Sequence, residues 1–262
     1  MEIILSQRLL LHLRLETWKS SISPAWSPVL AHDLETSSID AIESAWHHIL
    51  LSIHYRRAQL LINRPAVLFT LREWVFGDPL CEASTETLVR VLQEDYKAAK
   101  ELVSVVNTSL QAENFLRRHN IWFLVNYSVF AACVHMFGHL LACGKERDIL
   151  FAAEISLSEV RGLLQTSLEL LKRVGARSLM SQKGAACLLT FLDVFDAFVA
   201  TEMTASTVIS DQLPDPSMAP VLDSSSFQTS GLLSDFIVQA TDDFFFDGHS
   251  TNLSYDQYGT FS

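Results

Sequence analysis

His135, His139 and Cys143 follow one another at steps of four, so a straight helix puts all three on one face. Two imidazoles a turn apart can share a metal ion, and a thiolate can add a third bond. The glutamate that follows the first histidine of an H-E-x-x-H site is missing, and no other ligand cluster accompanies the three. The pattern favours residues of a helical core, or of a pocket lining, over a metal centre. His47, His48 and His54 are weaker candidates still.

The run "DDFFFD" supplies Asp242, Asp243 and Asp247. Clustered carboxylates can hold magnesium ions that bind a diphosphate, and the run resembles the aspartate-rich motif of the all-α terpene synthases. That resemblance implies a magnesium-dependent enzyme, with the motif on a helix lining a deep cavity and a second metal-binding element far downstream. Here only 15 residues follow Asp247, and a linker rich in proline and serine precedes the motif. There is no G-x-S-x-G, G-x-x-x-x-G-K-[ST] or G-x-G-x-x-G. The sequence therefore reads as that of a non-enzyme, with no cofactor and no metal site.

The stretch "HYRRAQLLINRPAVL" carries Arg56, Arg57 and Arg64. Arg56 and Arg57 are one step apart, about 100° around a helix, and cannot form one flat anion-binding patch. Pro65 biases the residue before it away from helical geometry. The expectation is a helix that ends near residue 63, with Arg64 complementing its dipole and the other arginines snorkelling at its rim.

The charge is unevenly distributed. Residues 211–262 hold eight Asp and no Lys, Arg or Glu, so this tail carries −8 of the net −11 and leaves −3 for residues 1–210. Phe236, Phe244, Phe245, Phe246, Tyr255, Tyr258 and Phe261 are interleaved with those aspartates. Mutual repulsion keeps such a segment expanded, while its aromatic residues remain free to dock into a groove of a partner. This composition is that of transcriptional activation segments, and it makes Phe236, Phe244, Phe245, Phe246, Tyr255 and Tyr258 the candidate contacts. The acidic balance argues against a free-standing nucleic-acid binder.

Apolar residues make up 49% of the 262, while Gly (9) and Pro (7) are scarce, as long helices require. The four cysteines, at 81, 133, 143 and 187, form no C-x-x-C pair. They suit a reducing compartment, where a thiol acts as a small hydrophobe.

Helices are expected over residues 2–19, from a capping box at Ser37–Asp40 to about 63, over 84–106, 114–143 and 156–175, and over roughly 178–204. Ile42, Trp46, Ile49, Ile53 and Leu60 mark the buried face of the second, and Leu88, Leu92, Ala99, Leu102 and Val106 that of the third. A shorter apolar element, "AVLFTLREWVF", follows Pro65, and Ser156–Glu159 forms another capping box. The first helix reads as amphipathic rather than as a signal peptide, since Gln7, Arg8, His12 and Arg14 break its apolar run. Residues 121–143 have the length of a membrane span, but Asn126, His135 and His139 within them argue for a buried soluble helix and no membrane. No strand pattern competes before residue 205. The expected fold is an all-α domain over 1–208, with a disordered acidic tail over 209–262.

The order of these signals resembles the middle homology region of fungal zinc-cluster transcription factors. The leading helix and its Ser/Pro segment appear as "LETWKSSISPAW", and the aliphatic-x-arginine-proline signature as "YRRAQLLINRPAVL". The buried helix with aromatic residues at its start is "NIWFLVNYSVFAACVHMF", followed by "LLQTSLELLKRV". The match covers roughly residues 1–205. It implies a regulatory domain of a nuclear transcription regulator, pathway-specific for a secondary-metabolite gene cluster. The partners it implies are the transcription machinery or co-regulators at the tail, and a second copy or a full-length family member at the body. The family's DNA-binding module needs six closely spaced cysteines, so the resemblance does not extend to direct DNA contact by these residues. It places Met1 inside the regulatory region.

Overall fold

Every regular element among the described residues (2–76, 82–112, 121–142, 152–174 and 178–208) of this computed structural model is helical. The order is α1 (Glu2–Ser21), a 3₁₀ turn (Pro24–Trp26), α2 (Ala31–Glu35), α3 (Ile39–Ser44), α4 (Trp46–Phe76) and α5 (Glu82–Ser109). Then come α6 (Trp122–Ala142), α7 (Leu157–Val174) and α8 (Leu179–Val208). The all-α expectation holds. Cys81, Cys143, the DDFFFD run and all six aromatic candidates of the tail lie outside the described residues.

Helices α4, α5 and α6 pack on one another and form the centre. The stripe expected on α5 is where it should be: Leu88, Leu92, Ala99, Leu102 and Val106 are all buried. Helix α6 is the buried helix expected near residues 121–143. Its segment Trp122–Leu140 is long and apolar enough to cross a membrane, but 78% of that stretch is buried by the rest of the chain.

Side-chain ties give the helix directions. Arg8 meets Asn63 and Glu16 meets Tyr55, so α1 runs antiparallel along the first half of α4. Tyr96 bonds Glu159 and Arg173 bonds the Leu110 carbonyl, so α5 and α7 run parallel. Asn126 meets Ser181 and Phe137 meets Phe191, which makes α6 and α8 parallel too. Arg161 pairs with Asp196, and a Cβ on Gly184 would lie 3.3 Å from Leu171, so α7 and α8 are antiparallel. The same Cβ would lie 3.4 Å from the Phe130 ring, so the missing side chain lets α8 settle close against α6 and α7.

Three expectations need correction. The helix expected from Ser37 to residue 63 is broken at Ala45, where φ and ψ of −85° and 13° close α3. The Ala45 carbonyl then accepts the Ile49 N–H and opens α4. Ile42 still enters the core from α3, but Trp46, one turn before the buried Ile49, is 37% exposed. The cap of α3 is Ser38, whose hydroxyl accepts the Ala41 N–H.

The second correction concerns Pro65, which does not end its helix. Helix α4 runs through it to Phe76, so Arg64 sits inside a helix rather than at its end, and "AVLFTLREWVF" is no separate element. The reason is burial on both sides. Leu60 and Asn63 before the proline, and Ala66, Val67 and Thr70 after it, are all buried. Pro65 itself faces solvent, and so does Leu61, whose carbonyl loses its ladder partner to the ring. Tertiary packing outweighs a local cost of about 3 kcal/mol. Pro65→Ala is therefore expected to stabilise the protein, by about 1–2 kcal/mol once the greater freedom of the unfolded alanine chain is subtracted. Urea unfolding with an unchanged slope checks this.

The third correction is at α7, where Glu159 does not fold back on Ser156. Its carboxylate instead takes the Tyr96 hydroxyl at 2.7 Å and pairs with Lys100 at 2.5 Å. Those partners hold it below the usual carboxylate range.

Candidate functional site

Helix α6 positions His135 and His139 one turn apart, and α5 brings a carboxylate to meet them. The Asp95 Oδ2 lies 2.8 Å from His135 Nδ1 and 2.8 Å from His139 Nε2. Asp95 and His139 are fully buried, and His135 is 8% exposed. For both rings to donate to the same oxygen, His135 must carry its proton on Nδ1 and His139 on Nε2.

Burial alone would push the Asp95 carboxyl upward. The charge and hydrogen bonds of the two imidazoles win, and hold it below the usual carboxylate range. The centre is thus an anion locked between two donors on a neighbouring helix. Two of its atoms, Asp95 Oδ1 and His139 Nδ1, are buried with no hydrogen-bond partner among the described residues. Their desolvation is offset only by the bonds on the other side of each group.

Sequence reasoning singled out both histidines and the buried stripe of α5, and missed Asp95 within that stripe. The signal was present. Leu88, Leu92, Asp95, Ala99 and Leu102 repeat at steps of four, three, four and three, so Asp95 occupies a place in the apolar stripe itself. An acid at such a place must find partners inside.

The arrangement limits the chemistry. Both ring nitrogens that face Asp95 are engaged on one oxygen, and among the described residues no group of three His, Cys, Asp or Glu is arranged to hold a metal ion. The two described thiols, Cys133 and Cys187, are not poised as nucleophiles. Burial pushes Cys133 up to about 12 and Cys187 up to about 11, so both remain protonated at neutral pH. What the site does is tie α5 to α6 through charge at buried positions.

Further polar ties surround it. Asn126 donates to the Ser181 hydroxyl at 2.5 Å, joining α6 to α8. Arg8, 7% exposed, donates to Asn63 at 2.8 Å and pairs with Glu94, tying α1 to α4 and α5 together.

The arginine pair behaves as the splay predicts. Arg57 lies 4.3 Å over the Tyr127 ring of α6, while Arg56 lies 5.2 Å over Tyr55 and donates to Gln59 at 3.0 Å. Arg57 thus ties α4 to α6 and Arg56 packs along α4 itself, so the two reach different partners rather than form a shared anion patch. Of the weaker candidates, His47 and His48 lie in the first turn of α4 and His54 about two turns further along it. His48 Nδ1 is 2.9 Å from the Ser27 carbonyl, and the His47 ring centroid is 4.9 Å from that of Trp26. No family model, no curated protein and no solved structure matches this chain.

Proposed function

We propose that the chain is the regulatory and activation portion of a transcription regulator of the fungal zinc-cluster type, acting in the nucleus through protein contacts. The observation that carries this reading is the division of charge. An all-helical body close to charge balance is followed by 52 residues that hold eight aspartates, no other charged side chain, and an interleaved set of aromatic residues. Such a segment recruits transcription machinery by docking aromatic side chains while its charges keep it soluble. The all-α body fits a regulatory domain, and its polar interior ties hold the helices in one register. A secondary-metabolite gene cluster is the setting that the resemblance implies. DNA contact falls to another segment or another protein.

Fusing the full chain to an unrelated DNA-binding domain, upstream of a reporter, tests the reading. Activation is expected from the intact fusion. Replacing Phe244, Phe245 and Phe246 together by alanine is expected to lower it roughly tenfold or more, because one aromatic anchor in a docked interface is worth about 2 kcal/mol. An intact fusion that leaves the reporter at its basal level, while present at normal abundance, defeats the proposal.

A further inference from the structure

Helix α6 is wrapped by its neighbours except along one strip. Beyond its first turn and up to Leu140, only Tyr127 and Val134 are less than fully buried, and Phe123, four residues before Tyr127, is 57% exposed. Intervals of four and seven put the three on one face. That face lies between two neighbouring helices. On one side Arg57 of α4 covers the Tyr127 ring. On the other, Phe130 meets Gly184 and Phe137 stacks on Phe191, both of α8. Helices α4 and α8 each pack on α6 and do not pack on each other to a comparable extent, so the strip is the floor of a groove between them. The α4 wall carries Arg57, Leu61 (49% exposed), Arg64 and Leu68 (42%), at steps of four, three and four. On α8, the pairing of Asp196 with Arg161 marks the edge toward α7. The half-buried Met180, Cys187 and Val194, seven apart, form the opposite edge, with the exposed Lys183 beside them.

We infer that this groove is the docking site for an acidic amphipathic helix of a partner protein, with its apolar face on the floor and its carboxylates at the rim. Charge points to that occupant. From Trp46 to Arg72 helix α4 contains arginines and no acid. Helix α6 has no Asp, Glu, Lys or Arg from Trp122 to Ala142, and the groove edge of α8 contributes Lys183. Among the described residues the charged side chains along the groove are therefore all cationic, in a chain whose net charge is −11. A basic partner is repelled there and an acidic one is steered in. Arg57 Nε is also buried with no hydrogen-bond partner among the described residues, and a cation buried in that way favours an acid beside it. The shape points to a helix. A rod seated between α4 and α8 packs on α6 as helices pack on one another, in the helix-in-groove mode of recognition. Arg57 and Arg64 lie two turns apart, about 10 Å along the axis, so two carboxylates seven residues apart on a helix lying along α4 would meet both. This docking is independent of the activation reading proposed above.

Fluorescence anisotropy with the full chain tests this. The probe is a labelled peptide of about 18 residues, five helical turns, with leucine on one face and glutamate on the other. Saturable binding is expected, and it should weaken as salt is raised. The same peptide with lysine in place of glutamate is expected not to bind. Lys183→Glu, at an exposed position, is expected to weaken binding of the glutamate peptide roughly fivefold, and Leu61→Glu roughly tenfold or more. Gln165→Glu, on the exposed side of α7, is expected to leave it unchanged. If Leu61→Glu loses its helical signal, Lys183→Glu decides in its place. A parent chain that binds neither peptide, or both equally, overturns the inference. So does an affinity that Lys183→Glu leaves unchanged. Capture of the chain by anionic phospholipid vesicles, reversed by Lys183→Glu and without peptide binding, also overturns it, by assigning the groove to a membrane surface.

Discussion

Asp95→Ala is expected to cost about 3–5 kcal/mol of stability at pH 7, among the largest effects of any single change in this chain. Removing the carboxylate leaves two buried imidazoles whose N–H groups point at nothing, and it opens a small void between α5 and α6. Asp95→Asn keeps the shape and one acceptor oxygen, so it should cost less than alanine. The pH response separates charge from shape. Because the folded-state pKa of Asp95 is depressed, its contribution is fully present above the unfolded carboxylate value of about 4 and is lost as pH falls below that value toward the lower folded one. Wild type should therefore lose stability steeply below about pH 4, and Asp95→Asn should lack that part of the slope. Urea unfolding at neutral and acid pH measures both. An alanine variant within about 0.5 kcal/mol of wild type, the range of ordinary surface changes, would show that the carboxylate does not tie α5 to α6.

The features legible in the sequence were those set by periodicity over many residues. The stripe from Leu88 to Val106 spans five turns, and its repeat leaves little doubt about which side is inward. The apolar run of α6 declared its own burial in the same way. What the sequence hid were places where a local rule met a long-range contact. Pro65 is a helix breaker by local rules, yet Leu60, Asn63, Ala66 and Val67 are held by neighbours far away in the chain, and the helix continues. Glu159 has the spacing of a capping box, yet Tyr96 and Lys100 on α5 claim its carboxylate. Asp95 was the costliest omission. One charged residue inside an apolar stripe looks like the edge of a charged face until its partners, 40 and 44 residues away, are known.

Phe191→Ala is expected to cost about 3–5 kcal/mol and to do so unevenly across the body. Phe191 on α8 stacks on Phe137 of α6, with centroids 4.2 Å apart and planes within 6°, and both rings are almost wholly buried. Stacking of this kind adds about 0.5–1.5 kcal/mol to area burial. The pair sits where the outer helices α7 and α8 meet the central group α4, α5 and α6. That central group keeps its own ties without α8: the Asp95 centre, the Arg57–Tyr127 contact, and the Arg8 bridge across α4 and α5. Hydrogen exchange read by mass spectrometry should show the loss concentrated in α7 and α8, while α4 and α5 keep their protection. If the protection of all the helices falls together, α7 and α8 do not open as a unit of their own. The body then unfolds as one cooperative block, and the polar ties that hold α4 to α5 and α6 cannot outlast the loss of the aromatic contact beside them.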